Sequence, residues 1–408
     1  MIKHIHWSFA LLLSSSPSLF ATGIEQAYQD ATAASRGNAV AASIESAAGI
    51  YYNPAGLAHI TRAEVQTTLL GTFPETRYSG VLGSTSSSHD FAATGSFFAA
   101  LPVEGLNGVV GIGLTLPHGL SVEYPEDGPL RSLAIESELA HAVFTATYST
   151  KLSETVSFGL GLSYARDDIQ TRQGLFVPGD FIDLDATGSG WGYTFGLQYR
   201  PNDSHSFGLT YQSQISVDLK GDISIRSLLD PLGNPLPTPF DLSAEARSHI
   251  RYPDKIIAGY AWQATEKTQV ELNATWTGWD TLDQIDVSTS IPAPELSTPY
   301  NHQPNFVLGL GVSHELNEHW TLHGGYLYGE SVVPDSTFSP FIADSDLHVF
   351  SIGGTYSSED WEITGTYLYG RRKGRNVSGS PTSPIGVSSD GRWETDGHTF
   401  LATIKRRF

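Results

Sequence analysis

The sequence predicts an all-β fold, a 14-stranded antiparallel transmembrane β-barrel with an N-terminal hatch plugging the lumen, and three observations carry that prediction. From about residue 60 onward, apolar side chains alternate with small or polar ones in runs of period two, the mark of strands with two unlike faces. Fourteen such runs can be counted, an even number. The links between them alternate strictly between tight polar turns and long segments rich in Pro, Gly, Asp and Ser, as short inner turns and long external loops do in such barrels.

The chain opens with MIKHIHWSFALLLSSSPSLFA, in which one early Lys precedes an apolar core from Trp7 to Leu13 and a small-residue exit at Ala21. That core is far shorter than the ~20 residues a spanning helix needs, so residues 1–21 are predicted to be a secretory signal peptide. Residues 22–60 lack the strand pattern, are rich in Ala, Ser and Gly, and close with Asn53-Pro54-Ala55-Gly56. A type I turn accounts for that tetrapeptide alone. Eight strands already make an interior just wide enough for side chains to fill, so fourteen leave a lumen that must be blocked or leak. Residues 22–60 are therefore expected to form the hatch, beginning near Gly23, with Asn53, Pro54 and Ala55 handing the chain to the barrel of residues 61–408.

The strands are predicted to begin near residues 64, 90, 106, 135, 154, 189, 204, 246, 266, 303, 318, 347, 360 and 393. VSFGLGLSY, residues 156–164, shows the grammar: Val156, Phe158, Leu160, Leu162 and Tyr164 on one face, Ser and Gly on the other. Trp276, Trp279, Tyr326, Tyr328, Tyr367 and Tyr369 lie near predicted strand ends, where interfacial girdles belong. The third strand, GVVGIGLTLPHGLSV, breaks its own pattern at Pro117-His118-Gly119, which reads either as a strand end at the membrane rim or as a place where the wall opens. The link after strand five carries Leu175, Phe176, Val177 and Phe181, and the link after strand seven carries Leu228, Leu229, Leu232, Leu236 and Phe240. Both are too apolar for ordinary water-facing loops and read as a binding groove or as loops burying one another. Phe408, a terminal aromatic, is expected to engage the barrel assembly machinery.

The remaining composition narrows the function. With no cysteine in 408 residues, neither disulfides nor thiolate metal sites are available. A formal charge of −20 excludes a nucleic-acid partner. No G-x-S-x-G occurs and the His residues are scattered, so an outer-membrane hydrolase, the rival class, lacks a nucleophile to nominate. His319 and His323 share a predicted strand face with His314 nearby, and Asp183, Asp185 and Thr187 partly match a calcium loop that lacks its closing Glu. No metal or cofactor is expected. A general porin would need an open lumen, which the hatch argues against.

The stretch GNAVAASIESAAGIYYNPAGL resembles the N-terminal hatch of the FadL family of outer-membrane transporters for long-chain fatty acids and other hydrophobic compounds. YPEDGPLRSLAIESEL, YPDKIIAGYAWQATEKTQVELNATWTGWDTLDQI and GESVVPDSTFSPFIADSDLHVFSIGGTY resemble it in the same order, so the likeness covers nearly all of the mature chain. The resemblance implies capture of ligand in an apolar groove of the third and fourth external loops, transfer to an inner pocket, and sideways release at a kinked third strand. It implies a passive carrier, monomeric, in contact with outer-membrane lipid and lipopolysaccharide. For a fatty-acid carboxylate it makes Arg131 and Arg172 the candidate partners, Arg172 lying one position from the family's pocket Arg. The family's pocket Lys is replaced near His302-Gln303, which leaves open neutral aromatic hydrocarbons as the cargo.

Overall fold

The computed structural model describes residues 23–88, 91–230, 233–291, 296–383 and 385–408, so the predicted signal peptide and Leu232 lie outside the described residues. Fourteen strands form a ring. They are β1 (Glu64–Gly80), β2 (Ala92–Val103), β3 (Gly108–Glu123), β4 (Glu136–Lys151), β5 (Val156–Gln173), β6 (Phe181–Asn202) and β7 (His205–Gln212, continued by Ile215–Leu229). The ring goes on with β8 (Pro235–Tyr252, continued by Lys255–Thr265), β9 (Thr268–Thr277), β10 (Asn305–Glu315), β11 (Trp320–Gly329), β12 (Leu347–Ser357), β13 (Trp361–Arg372) and β14 (Gly391–Arg407). Each strand pairs antiparallel with the next. The last pairs with the first, from Glu64↔Arg407 to Ser79↔Arg392, and this closure removes the open edge that lipid would penalise.

Twelve of the fourteen strands start within a few residues of the expected positions. The exceptions are β6, which starts at Phe181 and not near 189, and β8, which starts at Pro235 and not near 246. The supposed loop with the calcium-like Asp183-Asp185-Thr187 is therefore strand, and the apolar links after β5 and β7 contract to residues 174–180 and 230–234. The cause is an inversion of the two faces. In the lower part of β5, Leu160, Leu162 and Tyr164 point outward and are 49%, 58% and 37% exposed, while Ser163 is buried. Higher up, Ala165 and Ile169 are the buried side chains and Arg166, Asp168 and Gln170 the exposed ones. In β6, Trp191, Tyr193 and Phe195 face outward, whereas nearer its start the outward positions are Asp183, Asp185 and Thr187. Where the outer face meets hydrocarbon it is apolar. Where it meets water it is polar, and the apolar residues turn inward.

Residues 23–60 lie inside the ring. They hold two short helices, α1 (Ala31–Ser35) and α2 (Gly49–Tyr52), and a 3-10 helix, Pro54–His59. Wall side chains bond this segment from all sides: Gln66 of β1 to Asp30 (2.7 Å), Ser96 of β2 to the Gln29 carbonyl (2.5 Å), and Thr210 of β7 to the Tyr52 carbonyl (3.0 Å). Asn273 of β9 donates to the Asn38 carbonyl (2.9 Å), Ser351 of β12 to the Ser35 carbonyl (3.0 Å), and Thr366 of β13 to the Ala31 carbonyl (2.7 Å). Two buried ion pairs add charge to these anchors, Arg36 with Glu271 at 3.2 Å and Lys255 with Glu25 at 2.5 Å.

The small-residue composition of this segment and of the wall's inner face has one cause, which is close approach. Asn53 caps the 3-10 helix by accepting from the Ala55 N–H (3.1 Å) and donates to the Ala41 carbonyl (2.7 Å), while Pro54 occupies the first helical position. The tetrapeptide is thus a capped helix start and not a bare type I turn. A Cβ at Gly159 of β5 would lie 2.3 Å from the Pro54 carbonyl carbon, and one at Gly196 of β6 would lie 2.3 Å from Asn53 Oδ1. Only glycine lets the wall take this turn.

Candidate functional site

The third strand leaves the wall where its pattern breaks. The β2–β3 ladder runs from Val103↔Gly108 to Phe97↔Leu114 and ends there. On the other edge, the pairing with β4 shifts register between Thr115 and His118, a bulge at Pro117. Six consecutive residues, Thr115–Leu120, are buried, so this stretch bends inward from the alternating wall. The N-terminal segment bonds it: Gln26 N–H donates to the Pro117 carbonyl (2.7 Å), Gly119 N–H to the Ile24 carbonyl (2.9 Å), and the Gln29 side chain bonds both polar groups of the Leu116 backbone. Gly23 packs so closely that a Cβ there would sit 3.2 Å from Val332 and 3.3 Å from Trp279.

Two cavities meet at this bend. The larger, about 510 Å³, is lined by inward apolar residues of the inverted zone, among them Leu139, Ile169, Leu184, Leu219 and Ile250, together with Phe338. The smaller, about 260 Å³, lies at the break, between Pro74, Phe91 and Ala92 on one side and Leu120 and Tyr124 on the other. Both are bordered by Leu120 and by Pro340, Phe341 and Ile342.

The expected arginines are both occupied. Arg131 is buried, donates to Asp180 Oδ1 (3.0 Å) and to the Asp180 carbonyl (2.6 Å), and so braces the link 174–180. Asp180, also buried, accepts from the backbone N–H groups of Leu175, Phe176 and Val177, so this link is wound round one carboxylate. Arg172 makes a two-pronged pair with Asp183 at 2.8 Å and 2.8 Å and lies 4.8 Å from the Phe181 ring. The link after β5 touches the end of β7, since a Cβ at Gly179 would lie 3.4 Å from Leu228 Cδ1. Leu175, Phe176, Val177, Phe181, Leu228 and Leu229 are half-buried there, whereas Phe240 stands 52% exposed on β8.

Several expectations need correction. Trp279 is not a girdle residue: it is fully buried in a 3-10 turn after β9, under the N-terminal segment. The three histidines do not converge. His323 is buried and bonded to Ser313 and Thr355, His319 sits in the turn before β11, and His314 is exposed beside Thr268. Among the described residues, no group of three or more His, Asp or Glu forms a candidate metal site.

A buried polar group went unnoticed in the sequence. His141 Nδ1 lies 2.6 Å from Asp167 Oδ1, the Tyr252 hydroxyl donates to Asp167 Oδ2 at 2.6 Å, and His118 lies against both rings. His302, in the link before β10, is held by burial down to a pKa of about 4 and is neutral at ambient pH. It offers no cation to a ligand. These residues come from β3, β4, β5, β8 and a link, and no sequence spacing joins them.

Residues 12–408 match the family model described as outer membrane protein transport protein (OMPP1/FadL/TodX). The chain is 21% identical over 300 residues to the long-chain fatty acid transport protein of Escherichia coli K12, covering 64% of this chain and 67% of that one. It is 22% identical over 312 residues to outer membrane protein P1 of Haemophilus influenzae, covering 68% and 65%. The alignments thus span about two thirds of those relatives' length. Among solved structures, a Pseudomonas aeruginosa FadL homologue superposes with a TM-score of 0.83 at 17% identity, over 95% of this chain and 100% of that one. The Pseudomonas putida toluene transporter TodX superposes with 0.77 at 16% identity, over 94% and 99%.

Proposed function

The chain belongs to the outer membrane protein transport protein (OMPP1/FadL/TodX) family and is an outer-membrane β-barrel, and on that premise we propose that it takes up long-chain fatty acids or similar hydrophobic molecules by passive diffusion. The observation that carries the reading is the apolar cavity of about 510 Å³ at the outer end of a lumen occupied below by residues 23–60. In this reading the links after β5 and β7 capture ligand, the cavity holds it, the bend at Pro117-His118-Gly119 releases it sideways, and residues 23–60 act as the hatch. Relatives named as transporters and channels support transport over hydrolysis. Assembly through Phe408, contact with lipopolysaccharide and a monomeric state complete the proposal.

One observation favours neutral hydrocarbons within that class. A carboxylate in an apolar cavity needs a cation or strong donors, and Arg131 and Arg172 are already paired with Asp180 and Asp183. Uptake of labelled toluene and labelled dodecanoate by cells expressing the chain, against cells lacking it, tests both forms. The neutral form expects toluene uptake that Arg172→Gln leaves unchanged. The acid form expects dodecanoate uptake that falls about tenfold or more in Arg131→Gln or Arg172→Gln, since an unpaired buried carboxylate is costly. Uptake of neither compound would contradict the proposal.

A further inference from the structure

Four buried rings form a row beside the first residues of the N-terminal segment, where Glu25 pairs with His118 and Gly23 packs against Trp279. His141 and His118 have centroids 5.2 Å apart, His118 and Trp279 6.1 Å, and Trp279 and His302 5.9 Å. Nε2 of His141, both ring nitrogens of His118 and of His302, and Nε1 of Trp279 have no hydrogen-bond partner among the described residues. Buried polar atoms are normally satisfied, so such a concentration of unsatisfied ones calls for a polar guest.

The partners of His141 define what that guest must offer. Asp167 accepts both from the Tyr252 hydroxyl and from His141 Nδ1, so a ring proton of His141 is on Nδ1, and in the neutral imidazole Nε2 presents a lone pair. Tyr252 stacks on His141 with centroids 3.8 Å apart and fixes the plane of that ring. In its neutral form His118 brings one N–H and one lone pair. A hydroxyl can donate to His141 Nε2 while accepting from His118. A carboxylate or an ether has no proton to give Nε2, and a hydrocarbon makes neither bond.

The surroundings orient such a guest. A cavity of about 60 Å³ borders His118, His141 and Tyr252, room for a hydroxyl or a few waters. Two residues further along each strand, on the same inward face, stand Leu120, Leu139, Ile169 and Ile250, and all four line the 510 Å³ cavity. The polar quartet lies one layer of side chains beneath the residues that line this apolar chamber. We propose that His118 and His141, the latter positioned by Asp167 and Tyr252, bind the hydroxyl of a neutral hydrophobic alcohol or phenol whose apolar body extends into that chamber. The inference rests on the reading that the chamber holds the transported molecule.

The test compares binding of 1-dodecanol with that of an ether of equal length to the purified barrel. The wild-type protein is expected to prefer the alcohol by about three- to tenfold, the effect of one net hydrogen bond. Asp167→Asn keeps the Tyr252 bond on its carbonyl and turns its amide N–H towards His141 Nδ1. The ring proton then moves to Nε2, from which an alcohol and an ether can both accept, so the preference should fall. His141→Phe should remove the preference while leaving ether affinity intact, because the ether's one bond is to the N–H of His118, and it carries the test should the Asn variant fail the heat-modifiable migration that reports folding. Equal wild-type affinities, as expected if water alone occupies the cavity beside His118 and His141, or an unchanged preference in both variants, would overturn the proposal while leaving transport standing. Binding of neither compound would remove the transport reading as well.

Discussion

Replacing Pro117-His118-Gly119 by Val-Thr-Val is expected to reduce hydrocarbon uptake to the level of cells lacking the protein. The three residues sit where β3 loses β2 as a partner and shifts register against β4. Pro has no N–H to donate to a ladder and Gly has no side chain to pack against the wall, whereas Val-Thr-Val can continue both. The energetics decide the route. Each methylene gains about 0.8 kcal/mol on leaving water, so releasing a ten-carbon chain into an aqueous space would cost about 8 kcal/mol, roughly a million-fold in equilibrium. Release into the membrane is downhill and needs no energy source. A hydrocarbon is the right probe because it makes no hydrogen bond to His118, so loss of that ring does not itself explain a loss of uptake. Normal uptake by a variant that shows correct heat-modifiable migration would rule out the sideways route.

Deleting residues 22–42 is expected to raise ion conductance in planar bilayers by an order of magnitude or more. The segment bonds β1, β6, β9, β12 and β13, and eight strands already make an interior just wide enough for side chains to fill, so the wall alone does not fill a fourteen-strand lumen. The deletion also strands Glu271 and Lys255, whose partners Arg36 and Glu25 go with it. Breaking a buried pair costs about 3–5 kcal/mol, so Glu271→Gln and Lys255→Gln should accompany the deletion to keep the barrel intact. Unchanged conductance in a folded deletion variant would show that residues 22–42 do not seal the lumen.

The ring of strands was legible because lipid imposes a simple code: apolar outward, small or polar inward, with a turn chemistry that differs between the two ends. That code stops at the membrane surface. Ile182, Leu184 and Ala186 alternate with Asp183, Asp185 and Thr187 as regularly as Leu160 and Leu162 alternate with Gly161 and Ser163, but with the faces exchanged. Read with one rule throughout, the first half of β6 looked like an apolar external loop. The bend in β3 was visible in Pro117 and Gly119, since both disrupt a strand by local chemistry. The quartet around His141 was not, because His118 and Asp167 stand opposite His141 only once the register of β3, β4 and β5 is known, and Tyr252 reaches it from the distant β8. Trp279 misled for a related reason, as an aromatic near a strand end serves a girdle or a buried lid according to which way the following turn folds.

Anomalous diffraction from crystals soaked in an iodinated alkane tests the central claim most directly. The account predicts iodine density in the apolar chamber beside Leu139, Ile169 and Ile250, and at the break between Phe91 and Leu120. Density confined to the small cavity below the N-terminal segment, beside Tyr51, Lys255 and Leu327, would instead indicate a path along the barrel axis and contradict it.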